Sequence, residues 1–291
     1  MTISWYDTAR KLFLLGNLPG FPVTFFWDAP FGRFTPKNSN SIFVVDGIRA
    51  WICMELVSPI TFLYTLSKSP APLPTQAKVL AALFLLHYLN RAIISPLRTP
   101  SRSKTHIIVT LSGAYFNILN ASLLGTYLAS ATAAAHLASV SPLTWYAGIT
   151  LWALGFAGNI FHDEILLNIR RKAQQVSKRD GKGEHYGIPF GFLYKYISYP
   201  NYFCEWAEWF GYAMAASPVP TIPSFPTSLA GLFSPVTSAN PWWPSMTPPW
   251  LFFITEVYLM LPRAYRGHKW YHSKFGASYP PERKAVIPFI L

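Results

Sequence analysis

Apolar residues in this chain run in blocks, with neither the alternation of a half-buried strand nor the single stripe of a surface helix. Blocks fall at 8–27, 44–66, 78–96, 106–129, 144–166, 190–214 and 248–264. A helix crosses the hydrocarbon layer with about 20 apolar residues, so the pattern predicts an all-α membrane protein with seven transmembrane helices. The first block is interrupted by Gly16, Pro19, Gly20 and Pro22. The fifth is predicted to continue as an amphipathic helix to about Lys172. No internal repeat divides the chain, and only 217–249, rich in Pro, Ser and Thr, reads as a long irregular stretch. A single domain over 1–291 is expected, with one group of helices at about 30–135 and a C-terminal half at about 144–291.

Composition sharpens this picture. Hydrophobic residues make up 51% and charged residues 12% of the chain, against about 25% charged in ordinary soluble domains. Disorder is excluded, because it requires low hydrophobicity and high charge. The 58 residues between Lys104 and Asp163 and the 47 between Glu208 and Glu256 contain no Asp, Glu, Lys or Arg. The net charge of +12 reads as topology and not as nucleic-acid binding, because Lys and Arg gather in cytoplasmic loops. With the C-terminus cytosolic and the N-terminus lumenal, twenty basic residues fall on the cytosolic side. Only Arg10, Lys11, Lys68 and Lys78 fall opposite. Cys53 and Cys204 both lie in apolar stretches and support neither a disulfide framework nor a zinc site. No cleavable signal peptide is expected, because no small-residue cleavage site follows the first apolar block.

Ionisable side chains inside a span cost at least about 2.5 kcal/mol each and mark function by default. Here they are patterned. Glu55 stands alone in the second span. His87 and Arg91 are four apart in the third, with Tyr88 beside them. At about 100° per residue, Asn159, Asp163 and Arg170 form one stripe on the fifth span. Asn201, Glu205 and Glu208 form another on the sixth, and Glu256 and Arg263 share a face of the seventh. Any one of these residues reads equally well as interhelical glue. Five striped spans crowding toward the basic side point instead to a polar cavity opening to the cytosol, rimmed for an anionic ligand such as a phosphorylated cofactor. The glycines of GKGEHYG (181–187) do not fit a dinucleotide fingerprint. His268 and His272 are spaced for a metal but have no third ligand nearby, so no metal is expected. An Asn-Ala-Ser triplet at 120–122 lies within a span.

Several segments carry a resemblance: NIFHDEILLNIRR (159–171), YGIPFGFLYKYISYPNYFCEWAEWFGYA (186–213) and RAYRGHKWYHSKFGASYPPERKAVIPFIL (263–291). FGRFTP (31–36), RAWICMELVSP (49–59) and LLHYLNRAIISPL (85–97) add to it. Together they resemble the steroid 5α-reductase family, in its steroid-reducing branch, over about residues 30–291. The resemblance implies a multi-pass endoplasmic-reticulum enzyme that uses NADPH to reduce the C4–C5 double bond of a 3-oxo-Δ4-steroid or sterol-like lipid. It places the catalytic Glu and Tyr on Glu55 and Tyr88; His87 and Arg91, on the same span as Tyr88, are expected in the substrate pocket. It places cofactor contacts on Asn159, Asp163, Arg170, Tyr186, Asn201, Glu205, Arg263, His268 and Tyr271. The C-terminal half is then the NADPH-binding half. The chain departs from the family at Arg266-Gly267-His268, where consecutive histidines are frequent, and in a longer 173–185 loop. Chemically, hydride addition to an enone requires a donor at the ketone oxygen. Tyr88 can supply one, and Glu55, if protonated in the membrane, can donate as well or hold Tyr88 in place. Other membrane double-bond reductases (polyprenol, enoyl-thioester and sterol C14 or Δ24 types), an isoprenylcysteine-type methyltransferase using S-adenosylmethionine, and a transporter are the competing readings.

Overall fold

The structure, a computed structural model, describes residues 5–17, 19–26, 41–100, 102–180, 186–220 and 246–291. FGRFTP, residues 181–185 and residues 221–245 lie outside the described residues, as do Arg33, Lys37 and Lys182. The described chain is predominantly helical. The broken first block folds as two helices, α1 (Trp5–Asn17) and α2 (Gly20–Phe26). Then come α3 (Gly47–Leu66), α4 (Thr75–Tyr88) with a wide π-helical turn at Leu89–Ile94, and α5 (Ser95–Arg98). The second half of the order is α6 (Ile107–Leu128), α7 (Ala131–Ser139), α8 (Pro142–Asp180), α9 (Pro200–Ala216) and α10 (Pro248–Phe275).

Among the described residues two stretches, Thr75–Arg98 and Ile107–Leu128, are long and apolar enough to cross a bilayer. The other helices are interrupted, shorter or diluted by polar residues; α9 has 17 residues. Its late start corrects the sixth block, expected from residue 190. Gly191 (φ 103°) and Phe192 (φ 48°) adopt backbone that an α-helix cannot hold. Beyond them the chain bonds to the tail: Ser198 N–H to the Lys284 carbonyl (2.9 Å) and Tyr199 N–H to the Ala285 carbonyl (3.0 Å). A short antiparallel pair, β1 (Val44–Val45) with β2 (Thr105–His106), was not expected from the pattern either. It ties the start of α3 to the start of α6.

Aromatic side chains fill the bundle. Phe62, Phe84, Tyr127, Trp152, Trp209, Tyr212 and Phe252 are buried together. Phe62 stacks on Phe84 with centroids 4.1 Å apart. α8 and α9 approach closely because small residues line their contact, the means by which helices associate where lipid supplies no hydrophobic drive. A Cβ on Gly155 would collide with the backbone of Cys204 and Glu208. This crossing sets the polar faces of α8 and α9 against each other.

Candidate active site

Asp46 caps α3, accepting from Ile48 N–H and Arg49 N–H, and the helix carries Glu55 inward, one turn before Pro59. On α4, His87 and Tyr88 end the regular helix and Arg91 sits in the π-helical turn. Such turns recur at functional sites. Trp51 Nε1 donates to the Arg91 carbonyl (3.2 Å), so the irregular turn is tied to α3.

The charged groups meet in one layer. Arg91 Nε donates to Glu55 Oε1 (3.2 Å), and Arg91 Nη1 donates to Glu205 Oε1 (2.8 Å). Glu205 Oε2 accepts from Asn159 Nδ2 (3.3 Å), which also reaches the Asn201 carbonyl (3.0 Å). Asn201 Nδ2 donates to Asp163 Oδ1 (3.0 Å). Behind Arg91, His87 Nδ1 lies 2.7 Å from Glu208 Oε1. On the other side, Asn117 Nδ2 donates to the Met54 carbonyl (2.9 Å) and to Glu55 Oε2 (3.5 Å), while the Tyr88 hydroxyl donates to Asn117 Oδ1 (3.5 Å). The layer thus runs from Tyr88 through Asn117, Glu55, Arg91 and Glu205 to Asn159, with Asn201 and Asp163 adjoining. Eight of the residues expected from sequence come together in it: Glu55, Tyr88, His87, Arg91, Asn159, Asp163, Asn201 and Glu205. Both Glu55 oxygens accept in this geometry, so the free-donor role falls to Tyr88, whose 3.5 Å contact is long and easily exchanged for another acceptor.

A cationic group borders the layer. The Arg102 guanidinium lies 3.7 Å from the Trp51 ring centroid. Burial, and after it the nearby positive charges of Arg170 and Arg91, push its pKa down to about 10; Arg263 adds to this. Among the described residues neither Arg102 nor Arg170 has a carboxylate partner. Glu164, beside Asp163, is held instead by Arg98 (2.6 Å) and Arg171 (2.6 Å).

The last expected residues form a third group. His268 Nδ1 is 2.6 Å from Ser198 Oγ, which also lies 2.7 Å from the Tyr279 hydroxyl. Burial, then the charges of His272 and Lys284, lower the His268 pKa to about 4, so its ring is neutral at physiological pH. Tyr271 stacks on Tyr279 at 5.2 Å, and Tyr186 meets Trp270 edge-on at 5.0 Å. Gly267 is needed where it stands, because a Cβ there would run into the Tyr199 hydroxyl.

The family model described as 3-oxo-5-alpha-steroid 4-dehydrogenase matches residues 103–237 and 241–291, more than half of the chain. The chain belongs to the 3-oxo-5-alpha-steroid 4-dehydrogenase family. An uncharacterized protein of Schizosaccharomyces pombe is 38% identical over 314 aligned residues, covering 100% of both chains. The steroid 5-alpha-reductase DET2 of Solanum lycopersicum is 30% identical, over 95% of this chain and 93% of its own. The 3-oxo-5-alpha-steroid 4-dehydrogenase 1 of Rattus norvegicus is 30% identical, over 90% of this chain and 86% of its own. In this 3-oxo-5-alpha-steroid 4-dehydrogenase family member, every candidate cofactor residue lies within the matched segments. Glu55 and Tyr88 precede them, although each alignment covers at least nine-tenths of the chain.

No local sequence pattern marks Asn117, Trp51, Arg102, Ser198 or Tyr279 as part of the site. Asn117 is uncharged and sits inside an apolar block. Trp51 and Tyr279 carry no signal that separates them from the many other aromatics.

Proposed function

We propose that this protein reduces the C4–C5 double bond of 3-oxo-Δ4-steroids with NADPH. The observation that carries the reading is the joining of Tyr88, Asn117 and Glu55, through Arg91, to the Glu205–Asn159–Asn201–Asp163 face. A group suited to polarising a ketone and a group suited to a polar cofactor share one buried layer. The residues fit such a cofactor on their own chemistry. Arg102, Arg170 and Arg263 crowd together as cations beside the layer, and a cluster of guanidinium groups suits phosphates. Glu208 Oε2 and Glu256 Oε2 are buried without hydrogen-bond partners, so the layer has unfilled polar capacity. The reduced nicotinamide, when bound, supplies the hydride.

The chain's own residues do the rest. Asn159, Asn201, Asp163 and Glu205 hold and orient the nicotinamide end. Arg102, Arg170 and Arg263, with His268, Tyr271 and Tyr186 beyond, hold the phosphate and adenosine end. Tyr88 turns its hydroxyl from Asn117 to the 3-ketone and donates there as enolate charge develops, in a site where a fixed donor is worth more than in water. Packing against Phe84 and His87 keeps the Tyr88 ring in place, Glu55 fixes Asn117 beside it, and His87 and Arg91 line the pocket. The whole chain acts as one domain, with a substrate-side group of helices at about 30–135 and a cofactor half at about 144–291. Seven crossings, a lumenal N-terminus and a cytosolic C-terminus of an endoplasmic-reticulum membrane protein follow from the apolar blocks and the twenty-to-four division of basic residues.

Cofactor class is tested by thermal stabilisation of the purified protein. NADPH is expected to raise the melting temperature more than NADH, and S-adenosylmethionine not at all. Arg170→Ala is expected to weaken NADPH more than NADH, because a guanidinium at the 2′-phosphate is lost. Stabilisation by S-adenosylmethionine alone would move the protein to the methyltransferase class.

A further inference from the structure

Five carboxyl groups belong to the buried layer, and four are engaged, Asp163 by Asn201. Glu55 and Glu205 accept from Arg91, and Glu208 is paired with His87. Glu256 of α10 differs. Its Oε2 is shut off from the surface and has no hydrogen-bond partner. Among the described residues Glu256 makes no hydrogen bond or ion pair at all. Yet it lies within electrostatic reach of Glu205, Arg91, Glu55 and Glu208, and of the Tyr88 hydroxyl. Among the described residues the guanidinium bonded to the glutamates of the layer is that of Arg91, and Glu55 and Glu205 already occupy it. Glu256 is also seven residues before Arg263 on one face of α10, so it lies deeper than the cationic rim. An ionisable side chain at that depth, without a partner, calls for a use.

We propose that Glu256 exchanges a proton with the α-carbon of the substrate. The inference rests on the proposed reduction. Hydride arriving at C5 forms a C–H bond there, and the C4–C5 π pair moves into the ketone system, leaving an enolate whose oxygen is held by Tyr88. The enolate pair at C4 then takes the proton of the Glu256 carboxyl. A C4–H bond forms, the Glu256 O–H bond breaks, and the C3 carbonyl is restored. The Glu256 carboxylate regains its proton from water on the cytosolic side. Glu256 touches the reacting carbon in this step and is a catalytic residue, distinct from Tyr88, which acts on the oxygen.

The reverse half of the step can be read without any cofactor. The purified protein is incubated in D2O with the saturated 3-oxo-5α-steroid, and deuterium entering C4 is followed by mass spectrometry. The unsubstituted protein is expected to accelerate this exchange. Glu256→Gln, as monodisperse protein with unchanged affinity for the saturated steroid, is expected to slow it by at least about 10²-fold, the usual weight of a general acid or base. Glu256→Asp is expected to keep part of the rate. Exchange by Glu256→Gln at the unsubstituted rate would overturn the assignment, as would absence of exchange from an unsubstituted protein that does reduce the enone. Reduction of a 3-oxo-Δ4-steroid by the unsubstituted protein, measured alongside, separates the two failures. Its loss strikes the proposed function, whereas intact reduction with unchanged exchange in Glu256→Gln strikes Glu256 alone.

Discussion

Tyr88→Phe is expected to lower kcat for a 3-oxo-Δ4-steroid by about 10²–10³, or roughly 3–4 kcal/mol, with NADPH affinity nearly unchanged. The substitution removes one hydroxyl. The ring keeps its place in the core against Phe84, with centroids 4.7 Å apart, and against His87 at 5.2 Å. The hydrogen bond to Asn117 given up is long, at 3.5 Å, so stability should change little. What is lost is the donor to the ketone oxygen as charge develops there. Glu55 cannot replace it, because both of its oxygens already accept, from Arg91 and Asn117. Steady-state kinetics together with direct NADPH titration check the split. A fall in NADPH affinity with kcat preserved would remove Tyr88 from the reacting end.

Arg91→Met is expected to cost the most in stability. Its guanidinium joins Glu55 on α3 to Glu205 on α9, and its loss leaves two buried carboxylates without a cation. Breaking a buried pair by removing one partner costs about 3–5 kcal/mol. The Trp51 bond is to the Arg91 backbone carbonyl and survives, so the effect isolates the charge. Adding Glu205→Gln removes one of the two stranded carboxylates and should restore part of the melting temperature. If Arg91→Met melts with the unsubstituted protein, the layer is not held together through Arg91.

Much of this site can be read along the chain because its parts lie at helical spacing. Asn159 with Asp163, and Asn201 with Glu205, are each four apart, and each pair comes to one face. The glycines that let α8 and α9 touch then set those faces against each other. Glu55 and Arg91 announce themselves as charges in apolar blocks. Three features lie beyond local pattern. The start of α9 is delayed by pairing of residues 196–199 with residues 284–285, nearly ninety residues away. Asn117 joins Tyr88 to Glu55 only because α6 packs along α3, and no charge marks it. Arg102 sits beyond the apolar block, and its place beside the layer depends on stacking on Trp51 and on the β1–β2 pairing that anchors the following residues.

Purified protein in detergent or liposomes, given NADPH, is offered a 3-oxo-Δ4-steroid, a polyprenal-type substrate and a Δ14 sterol in separate reactions, and products are identified by mass spectrometry. One NADPH is expected to be consumed for each 3-oxo-Δ4-steroid converted to its C4–C5-saturated ketone, with the other two substrates unchanged. Saturation of the polyprenal or the sterol with the steroid untouched would contradict the proposed reaction.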